Sequence, residues 1–207
     1  MLNLAVLLSG SGTTLQNLID RIERGKLDAR IQIVVSSREG VFGLERAKKH
    51  GIPTAAIVRK NFPDARAFSN TIWNAIRAYN VDLAVLAGFM SLLEVPNDFV
   101  HRIVNVHPAL LPAFGGKGMY GHHVHEAVLA YGAKVTGATV HFVDAEYDHG
   151  PVIVQKTVPV LENDTPGTLA ERVQAAEREI YPEAIRLIAE GRVRVEGRIV
   201  RISTQSL

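Results

Sequence analysis

The chain has 207 residues, of which 47% are hydrophobic and 21% charged, with no cysteine and a formal net charge of +2. This length suits one or two compact domains with a sizeable core. The near-neutral charge gives no support to nucleic-acid binding by counterion release, and the lack of cysteine excludes disulfides, thiolate nucleophiles and zinc–thiolate sites. The apolar start, Met1–Leu8, stops at a Gly/Ser turn and lacks a basic leader. It therefore predicts a buried strand, no membrane segment and a cytoplasmic protein.

Apolar runs alternate with helical patterns through the first half of the chain. Strands are predicted at residues 2–8, 31–35, 54–58, 81–87 and 103–106. Helices are predicted between them at 15–22, at 41–50, from 64 or 65 to 79 with Phe68, Ile72, Ala75 and Tyr79 on one face, and at 92–101. Runs that are apolar on both faces and alternate with helices are typical of a parallel sheet covered on both sides.

The second half predicts a different organisation. A helix is predicted over 123–131, antiparallel strands at 135–143 and 152–160, a long helix from Thr165 to Gly191, and a terminal hairpin at 193–202. The apolar stripe of the long helix is Leu169, Val173, Ala176, Ile180, Ala184 and Leu187. The predicted fold is α/β, Rossmann-like: an open, mostly parallel twisted sheet with helices on both faces and antiparallel strands added in the C-terminal half. A single domain over 1–207 is expected, with halves of about 1–100 and 101–207.

A Gly-rich turn, Ser9–Thr14, follows the first predicted strand and opens the first predicted helix. Its glycines allow close approach of the backbone, and the free N–H groups at a helix start attract phosphate. Residue 15 is Leu where a dinucleotide-binding fingerprint has Gly, and no Gly-Lys-Ser/Thr follows. Two interpretations stay open: a phosphate site, or a tight turn with a capping hydroxyl.

Asn105 and His107 lie at the carboxyl end of the fifth predicted strand, where open α/β sheets bind ligands. Being two residues apart, their side chains point to the same side. An amide donor beside an imidazole can stabilise an oxyanion and deliver a proton, although a purely structural histidine is the alternative. Asp148, in a Gly/Pro turn, could orient His107 and favour its protonated form, with ordinary turn chemistry as the alternative.

Two further features are weaker. The cluster His122, His123 and His125 has no convincingly spaced third ligand, so no metal site is predicted. The Leu111–Pro112 peptide is a candidate cis bond in the loop after His107.

Several segments occur together in one order: SGSGTTLQ at 9–16, LAGFM at 86–90, NVHPALLP at 105–112 and DHGP at 148–151. With them the chain closely resembles the phosphoribosylglycinamide formyltransferases, the folate-dependent formyltransferase family of purine biosynthesis, over essentially its whole length. The Asn-x-His-Pro and Asp-x-Gly-Pro segments are shared by wider formyltransferases. The Gly-rich start, together with the segment from Arg172 to Pro182, points to this family among them.

The resemblance implies an enzyme that moves a formyl group from the co-substrate 10-formyltetrahydrofolate to the amine of phosphoribosylglycinamide, without a metal. It implies that Asn105 and protonated His107 hold the tetrahedral oxyanion and that Asp148 assists proton transfer. The implied residues that bind the ribonucleotide are Ser11, Gly12, Thr13, Thr14, Gln174 and Glu177. The implied folate-binding residues are Arg66, Met90, Ser91, Leu92, Leu93, Asn105 and His141. The first half then binds phosphate, and the second half is the catalytic and folate half.

Departures and rivals accompany the resemblance. Ser91, Ala109 and His149 stand where the family often has arginine, serine and glycine, and Lys117 lies in a segment that resembles the family's substrate loop. The rivals are formyltetrahydrofolate deformylase, methionyl-tRNA formyltransferase and a non-catalytic phosphosugar-binding module. We expect the chain to be too short for the extra domains of the first two. The expected partners are small molecules, with no nucleic acid or membrane and a homodimer as a candidate assembly.

Overall fold

The computed structural model describes residues 1–204 and divides into two compact units, the first spanning Met1–Val104 and the second beginning at Asn105. The expected single domain stays a prediction. Among the described residues, no helix combines the length and apolar character that a membrane crossing needs.

The first unit is built on parallel strands. Its strands are β1 (Leu2–Leu8), β2 (Ala29–Ser36), β3 (Thr54–Ala56) and β4 (Leu83–Leu86), and its helices are α1 (Thr13–Glu23), α2 (Phe42–Lys49) and α3 (Ala65–Arg77). Strand β1 pairs in parallel with β2 and β4, and β2 pairs with β3, which gives the order β3-β2-β1-β4. Residues 4–8 of β1 are completely buried, as expected for a strand covered on both faces.

The predicted helix over 92–101 is wrong. Only Asn97–Phe99 forms a short 3₁₀ turn, and the backbone before it bonds to side chains of α3. The Glu94 N–H donates to Ser69 Oγ at 3.0 Å, and the Trp73 indole N–H donates to the Glu94 carbonyl at 2.8 Å. These tertiary partners replace the hydrogen bonds that a helix would have provided.

Helix α3 buries a different stripe from the predicted one. It ends at Arg77, before Tyr79, and the third strand likewise ends early, at Ala56. The buried residues of α3 are Phe68, Ser69, Ile72, Trp73 and Ile76, so the predicted face of Phe68, Ile72, Ala75 and Tyr79 is half correct. Trp73 makes the difference, because its ring packs against Phe99 with centroids 4.7 Å apart and turns the helix toward that side.

The second unit carries the antiparallel addition. Strand β5 (Ile103–His107) crosses the unit boundary, and α4 (His122–Tyr131), β6 (Val135–Phe142), β7 (Val152–Pro159), α5 (Pro166–Ala189), β8 (Val193–Glu196) and β9 (Ile199–Ile202) follow. The strand order is β5-β6-β7, with β6 and β7 antiparallel, and β8 and β9 form a separate hairpin sheet. Over residues 1–204 the main sheet has seven strands, so the predicted fold class is confirmed.

Helix α5 matches its prediction closely. Thr165 caps it in a capping box with Thr168, and Pro166 occupies the first turn. Every residue of the predicted stripe is buried: Leu169, Val173, Ala176, Ile180, Ala184 and Leu187.

Candidate active site

The Gly-rich turn of the first unit depends on close backbone packing. Gly12 precedes α1 with φ +71°, a left-handed conformation that favours glycine. A Cβ atom on Gly12 would lie 2.6 Å from Gly43 Cα, and the Gly43 N–H donates to the Gly10 carbonyl at 3.1 Å. Because the capping position is a glycine, the alternative of a capping hydroxyl is wrong. The first N–H groups of α1 therefore have no side-chain cap there.

Arg46 of α2 supports the same turn. Its Nε–H donates to the Ser11 carbonyl at 2.9 Å and its Nη1–H donates to Gln16 Oε1 at 3.1 Å. Neither Gly43 nor Arg46 was predicted from the sequence. A glycine in the first turn of a helix was the available signal, because it costs helix stability unless it permits a close approach.

The segment after β4 meets the Gly-rich turn through Ser9. Ser9 Oγ accepts the Met90 N–H at 2.9 Å and lies 2.6 Å from Ser37 Oγ. Met90 and Leu92 are 45% and 39% exposed, whereas Leu93 is buried. Exposed apolar side chains beside a polar backbone segment suit the wall of a binding site for a flat ring.

Two other predicted folate residues lie in the same unit. Ser91 is half-buried. The Arg66 side chain is 78% exposed, and its Nε lies 3.4 Å from Glu94 Oε2. Arg66 is therefore free to move toward a ligand at little cost.

In the second unit the structure brings together Asn105, His107, His141 and Asp148. The Asp148 carboxylate lies 3.3 Å from His107 Nδ1 through Oδ2 and 3.7 Å from His141 Nε2 through Oδ1. Asn105 Nδ2 lies 3.3 Å from His141 Nε2, and the Nδ1–H of His141 donates to the Phe142 carbonyl at 2.8 Å. Strands β5 and β6 and the turn after β6 thus converge on one polar cluster.

His107 faces a hydrogen-bond acceptor on both ring nitrogens. Nδ1 faces the Asp148 carboxylate, and Nε2 lies 2.8 Å from the Phe114 carbonyl. Since neither partner can donate, only the doubly protonated imidazolium satisfies both contacts. The ring is buried, so its positive charge depends on Asp148.

Asp148 is held as a carboxylate, and its side chain is only 11% exposed. Burial raises its pKa, but hydrogen bonds from His107, His141 and the Gly116 N–H together hold the pKa well below its usual range. The Gly116 N–H donates to Oδ2 at 3.0 Å. A Cβ atom on Gly115 would lie 2.5 Å from a Leu111 methyl and 3.3 Å from Asp148 Cβ, so a side chain there would have to displace the leucine and would crowd the carboxylate.

A hydrogen-bond network fixes the chain that follows His107. Thr139 Oγ1 donates to the Ala109 carbonyl at 2.6 Å and accepts the Leu111 N–H at 3.0 Å. Gln155 Nε2 donates to the Leu111 carbonyl at 2.9 Å and to Thr139 Oγ1 at 3.0 Å. The Leu111–Pro112 peptide is cis. Gln155 was not predicted from the sequence, because nothing local marks a strand glutamine as a partner of a distant loop.

The two predicted residues of α5 differ in environment. Gln174 is exposed, whereas Glu177 is half-buried. Burial raises the pKa of Glu177 to about 7, against the opposing positive charges of His107 and Arg178. Glu177 thus shares the electrostatic surroundings of His107 and titrates near neutral pH.

The histidines at the start of α4 differ in exposure. His123 lies 3.4 Å from Glu126 at the surface, and His125 is buried. Over residues 1–204, no group of three His, Asp or Glu side chains is arranged to hold a metal ion.

Comparisons with known proteins agree on one family. The formyl transferase family model matches residues 2–185. The chain is 35% identical over 209 residues to phosphoribosylglycinamide formyltransferase of Haemophilus influenzae. This match covers 100% of this chain and 96% of that protein. It is 44% identical over 201 residues to the trifunctional purine biosynthetic protein adenosine-3 of Bos taurus, covering 94% of this chain and 19% of that protein. The chain thus spans about a fifth of that relative.

A solved structure agrees as well. The crystal structure of glycinamide ribonucleotide transformylase 1 from Symbiobacterium toebii is 46% identical, with a TM-score of 0.92. The match covers 98% of this chain and 94% of that one.

Proposed function

The chain belongs to the formyl transferase family, and we propose that it transfers the formyl group of 10-formyltetrahydrofolate to the amine of 5-phosphoribosylglycinamide in purine biosynthesis. The observation that carries this proposal is the buried pair of His107 and Asp148 beside Asn105. A buried charged pair costs free energy of desolvation, and a module that only bound a phosphosugar would have no use for it. The cluster therefore favours an enzyme.

In the proposed reaction the amine attacks the formyl carbon, whose oxygen becomes a tetrahedral oxyanion. Asn105 Nδ2 carries two N–H groups, and at most one of them can point at His141 Nε2, 3.3 Å away, so the amide has an N–H to offer to the oxyanion. His107 donates through Nε2 once the oxyanion takes the place of the Phe114 carbonyl. The contact with His141 Nε2 keeps the Asn105 amide in place.

Asp148 acts on charge and on protons. As a carboxylate at neutral pH, it keeps His107 in the charged form that stabilises an oxyanion. It also assists the movement of the proton from the attacking amine to the leaving nitrogen of the folate. One carbon–nitrogen bond forms and another breaks, and no covalent enzyme intermediate is needed, in keeping with the lack of cysteine.

The binding roles are part of the same proposal. The backbone amides of Ser11–Thr14 hold the ribonucleotide phosphate, supported by the uncapped start of α1. Gln174 and Glu177 contact the sugar or glycinamide end, since they lie three residues apart on one face of α5. Met90–Leu93 line the folate ring site, supported by the exposed apolar side chains there.

Arg66 is proposed to contact the folate and His141 to border its site.

Small molecules are the proposed partners, with no nucleic acid among them. A homodimer and a cytoplasmic location stay predictions, and light scattering of the purified chain tests the first.

The proposal is tested by following the absorbance of the folate product with the purified chain, with and without phosphoribosylglycinamide. We expect turnover only when the ribonucleotide is present, and a formylated ribonucleotide as the second product. Turnover that ignores the ribonucleotide would mean that water is the acceptor, and the chain would be a deformylase instead.

A further inference from the structure

The terminal hairpin of β8 and β9 touches the turn that carries Asp148. Arg198, at the tip of the hairpin, donates from Nη2 to the His149 carbonyl at 2.6 Å, and its Nη1 lies 3.0 Å from His149 Nε2. His149 Nδ1 lies 2.7 Å from Asp144 Oδ2 and 3.3 Å from the same Arg198 Nη1. His149 is one of the positions where the sequence departs from the family pattern, and the proposed chemistry assigns nothing to it or to the hairpin.

The partners fix the proton on the His149 ring. The Asp144 carboxylate only accepts, so Nδ1 carries the proton, and this leaves a lone pair on Nε2 for the Arg198 guanidinium. Arg198 therefore donates to His149, and His149 donates to Asp144. Together with the charge-assisted bond to the carbonyl, these contacts hold the backbone and the side chain of one residue at once.

This residue directly follows Asp148, whose backbone is strained. Asp148 has φ +52°, a left-handed conformation that is uncommon for residues other than glycine, although aspartate adopts it more readily than most. On its far side the turn is fixed by packing, since a Cβ atom on Gly150 would lie 1.9 Å from the Phe142 carbonyl oxygen. At His149 it is held by Arg198.

We infer that Arg198 is a positioning residue, and that the terminal hairpin braces the Asp148 turn so that the carboxylate stays aimed at His107. The kinetic consequence rests on the proposed formyl transfer, whereas the structural consequence does not. A small displacement of a catalytic group lowers turnover without weakening substrate binding elsewhere, so the brace should influence kcat more than the KM for the ribonucleotide.

The hairpin offers a matched control. Arg201 lies on β9 and pairs with Glu196 of the same hairpin, its Nε lying 3.5 Å from Glu196 Oε2. Arg201→Ala thus removes an exposed arginine from the same element but leaves the contact with His149 in place. Arg198→Lys keeps a cation that can reach the carbonyl, but it loses the second arm toward the ring.

The first test is steady-state kinetics of Arg198→Ala, Arg198→Lys and Arg201→Ala. We expect Arg198→Ala to lower kcat about tenfold with the ribonucleotide KM unchanged within about twofold, and Arg198→Lys to fall between it and the wild type. Arg201→Ala should match the wild type. Equal kcat values for Arg198→Ala and Arg201→Ala would overturn the inference.

The second test is amide hydrogen exchange of the ligand-free chain over residues 143–150. Faster exchange in Arg198→Ala, but not in Arg201→Ala, supports the brace, and unchanged exchange overturns it even if kcat falls. Because this measurement needs no turnover, it separates the two proposals. A wild-type chain without formyl transfer would refute the proposed function and leave hydrogen exchange to decide on the brace.

Discussion

The two units build their polar sites from different materials. In the first unit, the turn around Gly12 is made by backbone groups, and its shape depends on the close approach of Gly43. In the second, the site is made by side chains that are buried and ionisable, above all His107 and Asp148. The first unit presents backbone N–H groups, whereas the second contains a buried pair of ionisable side chains.

The difference determines how each region fails. A backbone site is damaged by an added Cβ atom and tolerates most changes of charge nearby. A buried charge pair is damaged by the loss of one partner, because the remaining charge is then desolvated and unpaired. Substitutions that add atoms in one unit, or remove charge in the other, therefore test the contrast directly.

The largest effect is expected from Asp148→Asn. The substitution keeps the size of the side chain but leaves His107 without its counterion, so we expect kcat to fall about 10³-fold. Binding of the ribonucleotide, measured by calorimetry, should change little. Asp98→Asn, which breaks a surface pair with Arg77, is the control and should leave turnover intact. Near-normal turnover in Asp148→Asn would remove Asp148 from the mechanism.

Gly12→Ala tests the backbone site. The added Cβ atom meets Gly43 Cα at 2.6 Å and forces alanine into φ +71°, so we expect a loss of about 3 kcal/mol in the free energy of unfolding. The ribonucleotide KM should also rise, by about 30-fold, because the amides proposed to hold the phosphate turn away from it. At Gly10 a Cβ atom finds nothing within 4 Å, so Gly10→Ala serves as the stability control in urea unfolding. Equal losses in both variants would contradict the close approach.

Glu177 should make the free energy of unfolding depend on pH. Its pKa is raised to about 7 in the folded chain, above its unfolded value, so folding favours the protonated acid. Stability is fully present below the unfolded pKa and is lost as the pH rises through about 7. Glu177→Gln should therefore match the wild type at acid pH and exceed it by about 2 kcal/mol above neutral pH.

Urea unfolding of both proteins at acid and alkaline pH measures the difference. A constant difference between Glu177→Gln and the wild type across the pH range would show that Glu177 titrates in the same way folded and unfolded.

The sequence predicted what depends on local patterns. The period of two along β5 put Asn105 and His107 on one side, and the period of helix α5 identified its whole buried stripe. A glycine-rich turn after a strand was also recognisable. Such features depend on residues close in the chain.

Several features that depend on distant partners were missed or wrong. The helix expected over 92–101 is absent because Ser69 and Trp73 take the hydrogen bonds of Glu94. The backbone groups of Phe114 and Gly116 that contact His107 and Asp148 have no residue type that marks them. Pairings across long stretches of chain leave no periodicity to detect.

The smallest effect is expected at Arg66, and it completes the contrast, because here a charge belongs to the first unit but lies at the surface. Its side chain is 78% exposed beside Glu94, so Arg66→Ala should change the free energy of unfolding by less than about 0.5 kcal/mol. The KM for 10-formyltetrahydrofolate should rise about threefold at low salt, and this difference should shrink at about 1 M salt, where the screening length is only about 3 Å. Arg24→Ala, an exposed arginine elsewhere in the unit, is the control. A rise that persists at high salt would mean that Arg66 binds the folate in a buried contact, and charge would then matter in the first unit as it does in the second.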